Sequence, residues 1–281
     1  MILSRNTNTV YFSRLLSTDS RFKTNYDKLT SLLNKYKIPH KLLEATADIW
    51  CRDYMPIQTA KKQFVQFRYE PSYLTESLEL QSDPEKVCEA NRIYPKISKI
   101  NLDGGNIVNW TDRAIITDRI FTENPQFSSK TKLIFEVEDL LGVEIIVIPQ
   151  INLDMTGHAD GLVRFVDRNT ILGNNRKKEY KYWKKGINKV LSEYGINYID
   201  IPFLDHKEKN HPNHAIGCYV NYLEVGDLIV LPIFETPDNK DNEAIKLFEN
   251  IFSDRKIETI NFNSVGLHGG LLNCTTWTIE E

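Results

Sequence analysis

The chain has 281 residues, of which 41% are hydrophobic and 26% charged, values that are ordinary for a globular protein. It carries 35 basic and 38 acidic residues, so its net charge of −3 argues against a dedicated nucleic-acid binder, which would usually show a basic face. The longest apolar runs, such as 228–234, are far shorter than the roughly 20 residues that cross a bilayer. The N-terminus lacks the apolar segment of a secretory signal, and we therefore expect a cytoplasmic protein without a membrane partner.

The chain has four cysteines, Cys51, Cys88, Cys218 and Cys274, and none forms a C-x-x-C pair. Their spacings match no zinc-binding pattern, so we predict no metal site. In a reduced compartment these residues are expected to be free thiols. A single cysteine is more often a small buried apolar residue than a nucleophile.

Five segments have apolar residues at helical spacing, and glycine follows two of them as a stop signal. The predicted helices span residues 24–37, 83–91, 130–141, 177–194 and 241–253. Each precedes a short strand, at 41–45, 97–102, 143–149, 198–202 and 257–262. Further strands are predicted at 64–69, 107–110, 114–118, 161–166, 170–172, 218–223, 228–232 and 270–277.

The unit of helix, strand, loop and strands therefore recurs five times without an intervening linker. A period of this length is typical of a propeller, a solenoid or an array of repeated units. An ordinary α/β domain with alternating helices and strands is the alternative. In either case we predict a single domain over residues 1–281.

Polar motifs follow the short strand in four of the five repeats. They are residues 50–53 (Trp-Cys-Arg-Asp), 103–106 (Asp-Gly-Gly-Asn), 157–160 (Gly-His-Ala-Asp) and 268–274 (His-Gly-Gly-Leu-Leu-Asn-Cys). If the repeats surround an axis, equivalent positions meet at its centre. Three carboxylates, a histidine and a cysteine would then share one site. Each motif has an ordinary structural interpretation as well, such as a turn or an ion pair.

The combination of these side chains points to one kind of chemistry. A cysteine beside a histidine can act as an activated nucleophile. Neighbouring carboxylates oppose thiolate formation unless a cationic substrate compensates their charge. A planar guanidinium with several N–H donors matches two carboxylates in geometry and charge. The residues therefore indicate nucleophilic attack on a guanidinium carbon.

The motifs resemble the agmatine deiminase and bacterial peptidylarginine deiminase family of the guanidino-group-modifying (pentein) superfamily. The resemblance runs from about residue 45 to 277. It is carried by W-x-R-D-x-x-P (50–56), D-G-G-N (103–106), G-H-x-D (157–160) with Arg164-Phe165, Y-x-N-Y (219–222) and G-G-x-x-x-C (269–274). It implies an α/β fold, a five-fold pseudosymmetric α/β propeller with the active site at the central axis.

The resemblance also implies residue roles. Cys274 matches the nucleophile and His158 the general acid/base, while Asp53 and Asp160 match the pair that holds the guanidinium. Asp103 stands where the family usually has a glutamate that supports the histidine. The other motif residues implied to contact substrate are Trp50, Arg52 and Asn221. The implied partner is a small guanidino compound, no cofactor or metal is needed, and homo-oligomerisation is left open.

Within this resemblance, the predicted reaction is hydrolysis of agmatine, arginine or a related guanidine to a ureido product and ammonia. The first alternative passes the amidino group to an amine, and a second hydrolyses methylated arginine. A third is a non-catalytic guanidine-binding protein, which the departures at Asp103 and at Met55, where a glycine is common, would favour. A papain-like thiol hydrolase fits poorly, because its local cysteine signature is missing.

Overall fold

The computed structural model describes residues 1–281 and contains fifteen strands in five separate three-stranded sheets. The strands are β1 (Thr9–Ser13), β2 (His40–Leu43), β3 (Ile57–Ala60), β4 (Gln63–Arg68), β5 (Lys96–Asn101), β6 (Val108–Asn109), β7 (Arg113–Thr117), β8 (Glu144–Ile148), β9 (Val163–Asp167), β10 (Thr170–Gly173), β11 (Asn197–Asp200), β12 (Leu223–Val225), β13 (Leu228–Ile233), β14 (Lys256–Asn261) and β15 (Trp277–Ile279).

Nine α-helices connect or flank these strands. They are α1 (Arg14–Thr18), α2 (Lys23–Lys35), α3 (Cys51–Tyr54), α4 (Pro84–Ala90), α5 (Arg119–Glu123), α6 (Lys130–Leu141), α7 (Lys181–Tyr194), α8 (Asp241–Ile251) and α9 (Asn263–Gly266). None of them combines the length and the apolar character that a membrane crossing requires.

All five sheets share one topology, in which a middle strand pairs antiparallel with one neighbour and parallel with the other. The parallel pair is always bridged by a helix, namely α2, α4, α6, α7 or α8. The C-terminal strand β15 pairs antiparallel with β1 and completes the first sheet. Because the strands form five separate sheets of one topology, the structure favours the repeated unit over an ordinary α/β domain with alternating helices and strands. The predicted five-fold α/β propeller is confirmed.

Each helix was predicted from a stripe of apolar residues, and that stripe lies on the buried face of the helix. On α7, Trp183, Ile187 and Leu191 are spaced by four residues and pack into one cluster with Ile146 of β8. The helix ends at Gly195, whose φ of +62° is the left-handed conformation that glycine adopts without strain. Truncation of the fully buried Trp183 to alanine would cost about 3–5 kcal/mol of stability.

All five predicted helices are present, one with its predicted bounds (130–141) and four with shifted ends, but two predicted strands were wrong. Residues 218–222 and 270–276 lie in turns, and strands begin only at Leu223 and Trp277. The reason is that their backbone groups form local turn hydrogen bonds, such as that from the Asn221 N–H to the Cys218 carbonyl, or bond to side chains, instead of pairing with a neighbouring strand. The backbone N–H groups of Asn273 and Cys274 both donate to Asn221 Oδ1. The prediction also missed β1 and β3, which are short strands of five and four residues.

Candidate active site

In each sheet, one outer strand pairs parallel with the middle strand. The loops that follow this outer strand in four of the sheets line one cavity of about 630 Å³. These are the loops after β2, β8, β11 and β14. The predicted site residues that line this cavity are Trp50, Asp53, His158, Asp160, Asn221 and Cys274. The fifth loop, after β5, supplies Asp103, which lies behind His158 instead of on the cavity wall. The repeat thus brings together residues that are up to 224 positions apart, counted from Trp50 to Cys274 (274 − 50).

A glycine pair allows the loops to approach one another closely. Gly104–Asn106 forms a single turn of 3₁₀ helix next to α3. A Cβ atom on Gly105 would lie 2.6 Å from His158 Nδ1 and would also overlap Asp53 Oδ1. Only glycine therefore permits Asp53 and His158 to face each other across this turn. The Asp-Gly-Gly motif has a structural reason that the sequence alone did not reveal.

His158 is buried between two carboxylates. Its Nε2 lies 2.7 Å from Asp103 Oδ2, and its Nδ1 lies 3.6 Å from Asp53 Oδ1. Burial alone would lower the pKa of His158, but the negative charges of Asp53 and Asp103 outweigh it and raise the pKa to about 10. The imidazole is therefore protonated at neutral pH and can serve as a proton donor.

Asp103 reaches His158 although its side chain is one methylene shorter than that of glutamate. The same Oδ2 atom accepts a second hydrogen bond of 2.9 Å from the hydroxyl of Tyr73. The Tyr73 ring lies edge-on against His158, with a centroid separation of 6.0 Å. Sequence reasoning missed Tyr73, because it belongs to a short 3₁₀ turn (Ser72–Leu74) outside every motif. Two donors thus fix the orientation of the Asp103 carboxylate.

Cys274 lies in an acidic environment. Its Sγ is 3.8 Å from Asp160 Oδ2 and accepts a hydrogen bond of 3.2 Å from Asn221 Nδ2. Burial, followed by the negative charges of Asp160 and Asp53, raises the pKa of Cys274 well above its usual value. The thiol is therefore protonated in the protein alone. A cation placed between these two carboxylates would lower that pKa and favour the thiolate.

Two asparagines organise the cysteine and its neighbouring carboxylate. Asp160 Oδ2 accepts hydrogen bonds from Asn273 Nδ2 at 2.6 Å and from Asn221 Nδ2 at 3.3 Å. Asn221 Oδ1 accepts from the backbone N–H of Asn273 at 3.1 Å and of Cys274 at 3.3 Å. Asn273 received no predicted role, although it directly precedes the cysteine. That adjacency was the available signal.

Asp53 has a buried acceptor with no partner. Its Oδ1 is inaccessible to solvent and makes no hydrogen bond. Burial, with the charges of Asp103 and Asp160 adding to it and His158 opposing it, raises the pKa of Asp53 well above the usual range. A buried oxygen without a donor is costly unless a ligand supplies one. Oδ1 faces His158 Nδ1, and because Asp53 lines the cavity, its carboxylate can accept hydrogen bonds from a molecule bound there.

Trp50 and Arg52, the two remaining residues predicted to contact the substrate, line different cavities. The Trp50 ring packs beside Gly270, where a Cβ would lie 2.9 Å from the Cys274 Cβ, so the ring forms a wall next to the cysteine. Arg52 does not line this cavity; it faces a second one on the other side of Asp160. Arg52 and Asp53 are consecutive on α3, and side chains about 100° apart on a helix point in different directions. They form no ion pair with each other.

No group of three or more histidine, cysteine, aspartate or glutamate side chains is arranged to hold a metal ion.

Comparison with known proteins identifies relatives of the chain. A putative agmatine deiminase from Latilactobacillus sakei is 25% identical over 229 residues, which are 69% of this chain and 62% of that protein. A putative agmatine deiminase from Mycoplasma capricolum is 25% identical over 226 residues, 68% of this chain and 60% of that protein. The matched region thus spans less than two thirds of these curated relatives.

Solved structures share the fold over nearly the whole chain. A putative arginine deiminase from Porphyromonas gingivalis has a TM-score of 0.81 at 16% identity, with 99% of this chain and 97% of that chain covered. An agmatine deiminase from C. jejuni has a TM-score of 0.78 at 16% identity and covers 100% of this chain and 95% of its own. The family model of the Porphyromonas-type peptidyl-arginine deiminases matches residues 15–279. The chain belongs to the Porphyromonas-type peptidyl-arginine deiminase family.

Proposed function

We propose that the protein hydrolyses a guanidinium group and releases ammonia and a ureido product. The observation that carries this proposal is one cavity lined by Cys274, His158 and two buried carboxylates, Asp53 and Asp160. A guanidinium presents N–H donors in a plane, and carboxylates accept them with charge assistance. The unpaired Asp53 Oδ1 is an acceptor of this kind. Family membership supports the same class of reaction.

The reaction begins with a change of charge at the cysteine. A guanidinium held between Asp53 and Asp160 compensates their charges and lowers the pKa of Cys274. The thiol proton passes to a neighbouring carboxylate, and Asp160 Oδ2 lies 3.8 Å from Sγ. The thiolate then attacks the guanidinium carbon and forms a C–S bond. Asn221 Nδ2, at 3.2 Å from Sγ, stabilises the thiolate before attack.

His158 moves the protons in both half-reactions. As the protonated imidazolium, it donates to the departing amino group, the C–N bond breaks and ammonia leaves. A positively charged thiouronium remains attached to Cys274. Neutral His158 next removes a proton from water, which attacks the same carbon. The C–S bond then breaks and the ureido product is released with loss of its hydroxyl proton to solvent. The proton held by the carboxylate returns to the Cys274 thiolate, which restores both groups.

The charges on the cavity wall favour a substrate without a carboxylate near the guanidinium. Five aspartates line the cavity: Asp19, Asp48, Asp53, Asp154 and Asp160. Arg21 is the one arginine or lysine among the lining residues, and it is paired with Asp19 at 2.6 Å. Burial lowers the pKa of His214 and His268, so these lining histidines are neutral. We therefore expect agmatine or a peptide arginine to be preferred over free arginine.

The experiment is to incubate the purified full chain with agmatine, free arginine and an arginine-containing peptide, and to measure ammonia and ureido product in parallel. We expect ammonia and ureido product in equal amounts, with free arginine the poorest substrate. Formation of a new guanidine from an added amine acceptor, without ammonia, would instead identify an amidinotransferase. Binding of all three guanidines without any product would contradict the enzymatic proposal.

A further inference from the structure

A second cavity, of about 140 Å³, lies on the other side of Asp160, which lines both cavities. We call it the rear cavity. Its charged and amide-bearing lining comprises Arg5, Arg52, Arg164, Arg255, Glu224, Asp254, Asp160, Asn109 and Asn273. Four arginines thus converge on a small space, in contrast to the five aspartates of the larger cavity. At about 30 Å³ per water molecule, the rear cavity can hold roughly five waters, or one small polyatomic ion.

The arginines of the rear cavity are incompletely neutralised. Arg164 and Arg255 share a single carboxylate, Glu224, at 3.7 and 3.0 Å. Arg5 pairs with Asp254 at 2.7 Å, and both of these side chains are largely exposed. Arg52 has no carboxylate oxygen within ion-pair distance. The inner part of the cavity therefore has three guanidinium groups against two carboxylates, Glu224 and Asp160.

One guanidinium donor there is buried without an acceptor, and another makes only a long hydrogen bond. The Arg255 side chain is only 4% exposed, and its Nε makes no hydrogen bond. The one hydrogen bond of the Arg52 side chain runs from Nε to the Asn273 carbonyl at a long 3.4 Å. Burial and the nearby charge of Arg164 lower the pKa of Arg52. Buried donors of this kind are costly when unpaired and are usually satisfied by an ordered partner.

We propose that the rear cavity binds a small oxyanion through Arg52, Arg164 and Arg255, with Arg5 at its rim. Guanidinium groups bind phosphate and carboxylate oxygens with paired, charge-assisted hydrogen bonds. The excess positive charge favours an anion, and the small volume selects an ion of inorganic phosphate or sulfate size. The larger cavity, lined by aspartates, would repel the same ion. The site is thus distinct from the one proposed for the guanidine, and it does not depend on that proposal.

The test is thermal unfolding of the full chain in increasing inorganic phosphate, compared with sodium chloride at equal ionic strength. We expect phosphate to raise Tm by roughly 2–4 °C at about five times its Kd, since a ligand that binds only the folded state stabilises it. Sulfate should act similarly, and chloride should not. Isothermal titration with phosphate gives the Kd directly.

Two variants change the anion affinity in opposite directions. Arg5→Ala removes a rim charge and should weaken phosphate binding about two- to fivefold, as expected for a half-exposed charge. Glu224→Gln removes the shared carboxylate, so phosphate should bind more tightly and stabilise this variant more than the wild type. Arg14→Ala is the matched control, because Arg14 is 49% exposed and Arg5 50%, and each forms an exposed ion pair.

Equal effects of phosphate and chloride on the wild-type Tm would overturn the proposal. So would an equal loss of phosphate affinity in Arg5→Ala and Arg14→Ala, because binding would then follow overall charge. If Glu224→Gln does not fold, the phosphate affinities of Arg5→Ala and Arg14→Ala still test the proposal. A phosphate effect that disappears in the presence of a guanidine substrate would place the ion in the larger cavity and contradict the assignment.

Discussion

The two cavities beside Asp160 have opposite formal charge although the short helix α3 contributes to both. The larger is lined by five aspartates and one paired arginine, whereas the smaller is lined by four arginines. On α3, Asp53 faces the larger cavity and Arg52 the smaller. The chemistry of each cavity is therefore determined by the direction in which neighbouring residues point, and not by the net charge of a motif.

Among the carboxylate variants of the larger cavity, the largest effect is expected for Asp53→Asn. This change removes the carboxylate that we propose to bind the guanidinium, while it preserves shape. We expect kcat/KM to fall about 10²- to 10³-fold, as when one partner of a buried charged pair is removed. Asp48→Asn is the matched control, because Asp48 is equally buried and lines the same cavity, but its Oδ1 accepts the Trp50 N–H. Equal losses in both variants would contradict the specific role of Asp53.

A smaller loss, of about 10²-fold in kcat, is expected for Gly105→Ala. The added methyl group would overlap Asp53 and lie 2.6 Å from His158 Nδ1, and displacements of about 1 Å are known to cost this much. Gly161→Ala in the neighbouring turn is the control, since a Cβ there meets no atom within 4 Å. Steady-state kinetics of the two variants with the best substrate would test this. Full activity of Gly105→Ala would show that the close approach of Asp53 and His158 is unimportant.

The pH dependence of stability gives the third prediction. The pKa of His158 is raised from about 6.5 in the unfolded chain to about 10 in the folded protein. Its contribution to stability is therefore complete below pH 6.5 and is lost as the pH rises towards 10. His158→Gln should remove this part of the pH dependence, which we expect to amount to roughly a few kcal/mol. Denaturant unfolding of the wild type and of His158→Gln between pH 6 and 10 measures this contribution. If the free energies of unfolding of the two proteins changed in parallel with pH, the protonated state of His158 would be contradicted.

The sequence predicted the repeated framework because each repeat contains a helix with an apolar stripe, as on α2 and α7. It also predicted which motifs meet, since equivalent loops of a closed repeat share one end of the axis. It did not predict the contacts of Tyr73 with Asp103 or of Asn273 with Asp160, which join residues 30 and 113 positions apart. These depend on loop conformations that form only after the sheets assemble.

Arg52 shows the second limit of sequence reasoning. Its place in the Trp-Cys-Arg-Asp motif predicted a substrate contact, because motif membership implies that adjacent residues share a site. On a helix, however, consecutive side chains diverge by about 100°. The four-residue helix α3 therefore directs Asp53 to one cavity and Arg52 to the other. Composition and spacing alone do not predict these directions, because they depend on the formation of the helix.

The most direct test of the account is the rate of ammonia release by Cys274→Ala with the best guanidine substrate. Cys218→Ala is the matched control, because Cys218 also lines the cavity but contacts the Gly161 carbonyl instead of the carboxylates proposed to hold the guanidinium. We predict that Cys274→Ala lowers kcat by on the order of 10⁴- to 10⁶-fold with Tm nearly unchanged, while Cys218→Ala keeps most of its activity. A folded Cys274→Ala variant that retains a tenth or more of the wild-type rate would contradict covalent catalysis by this cysteine.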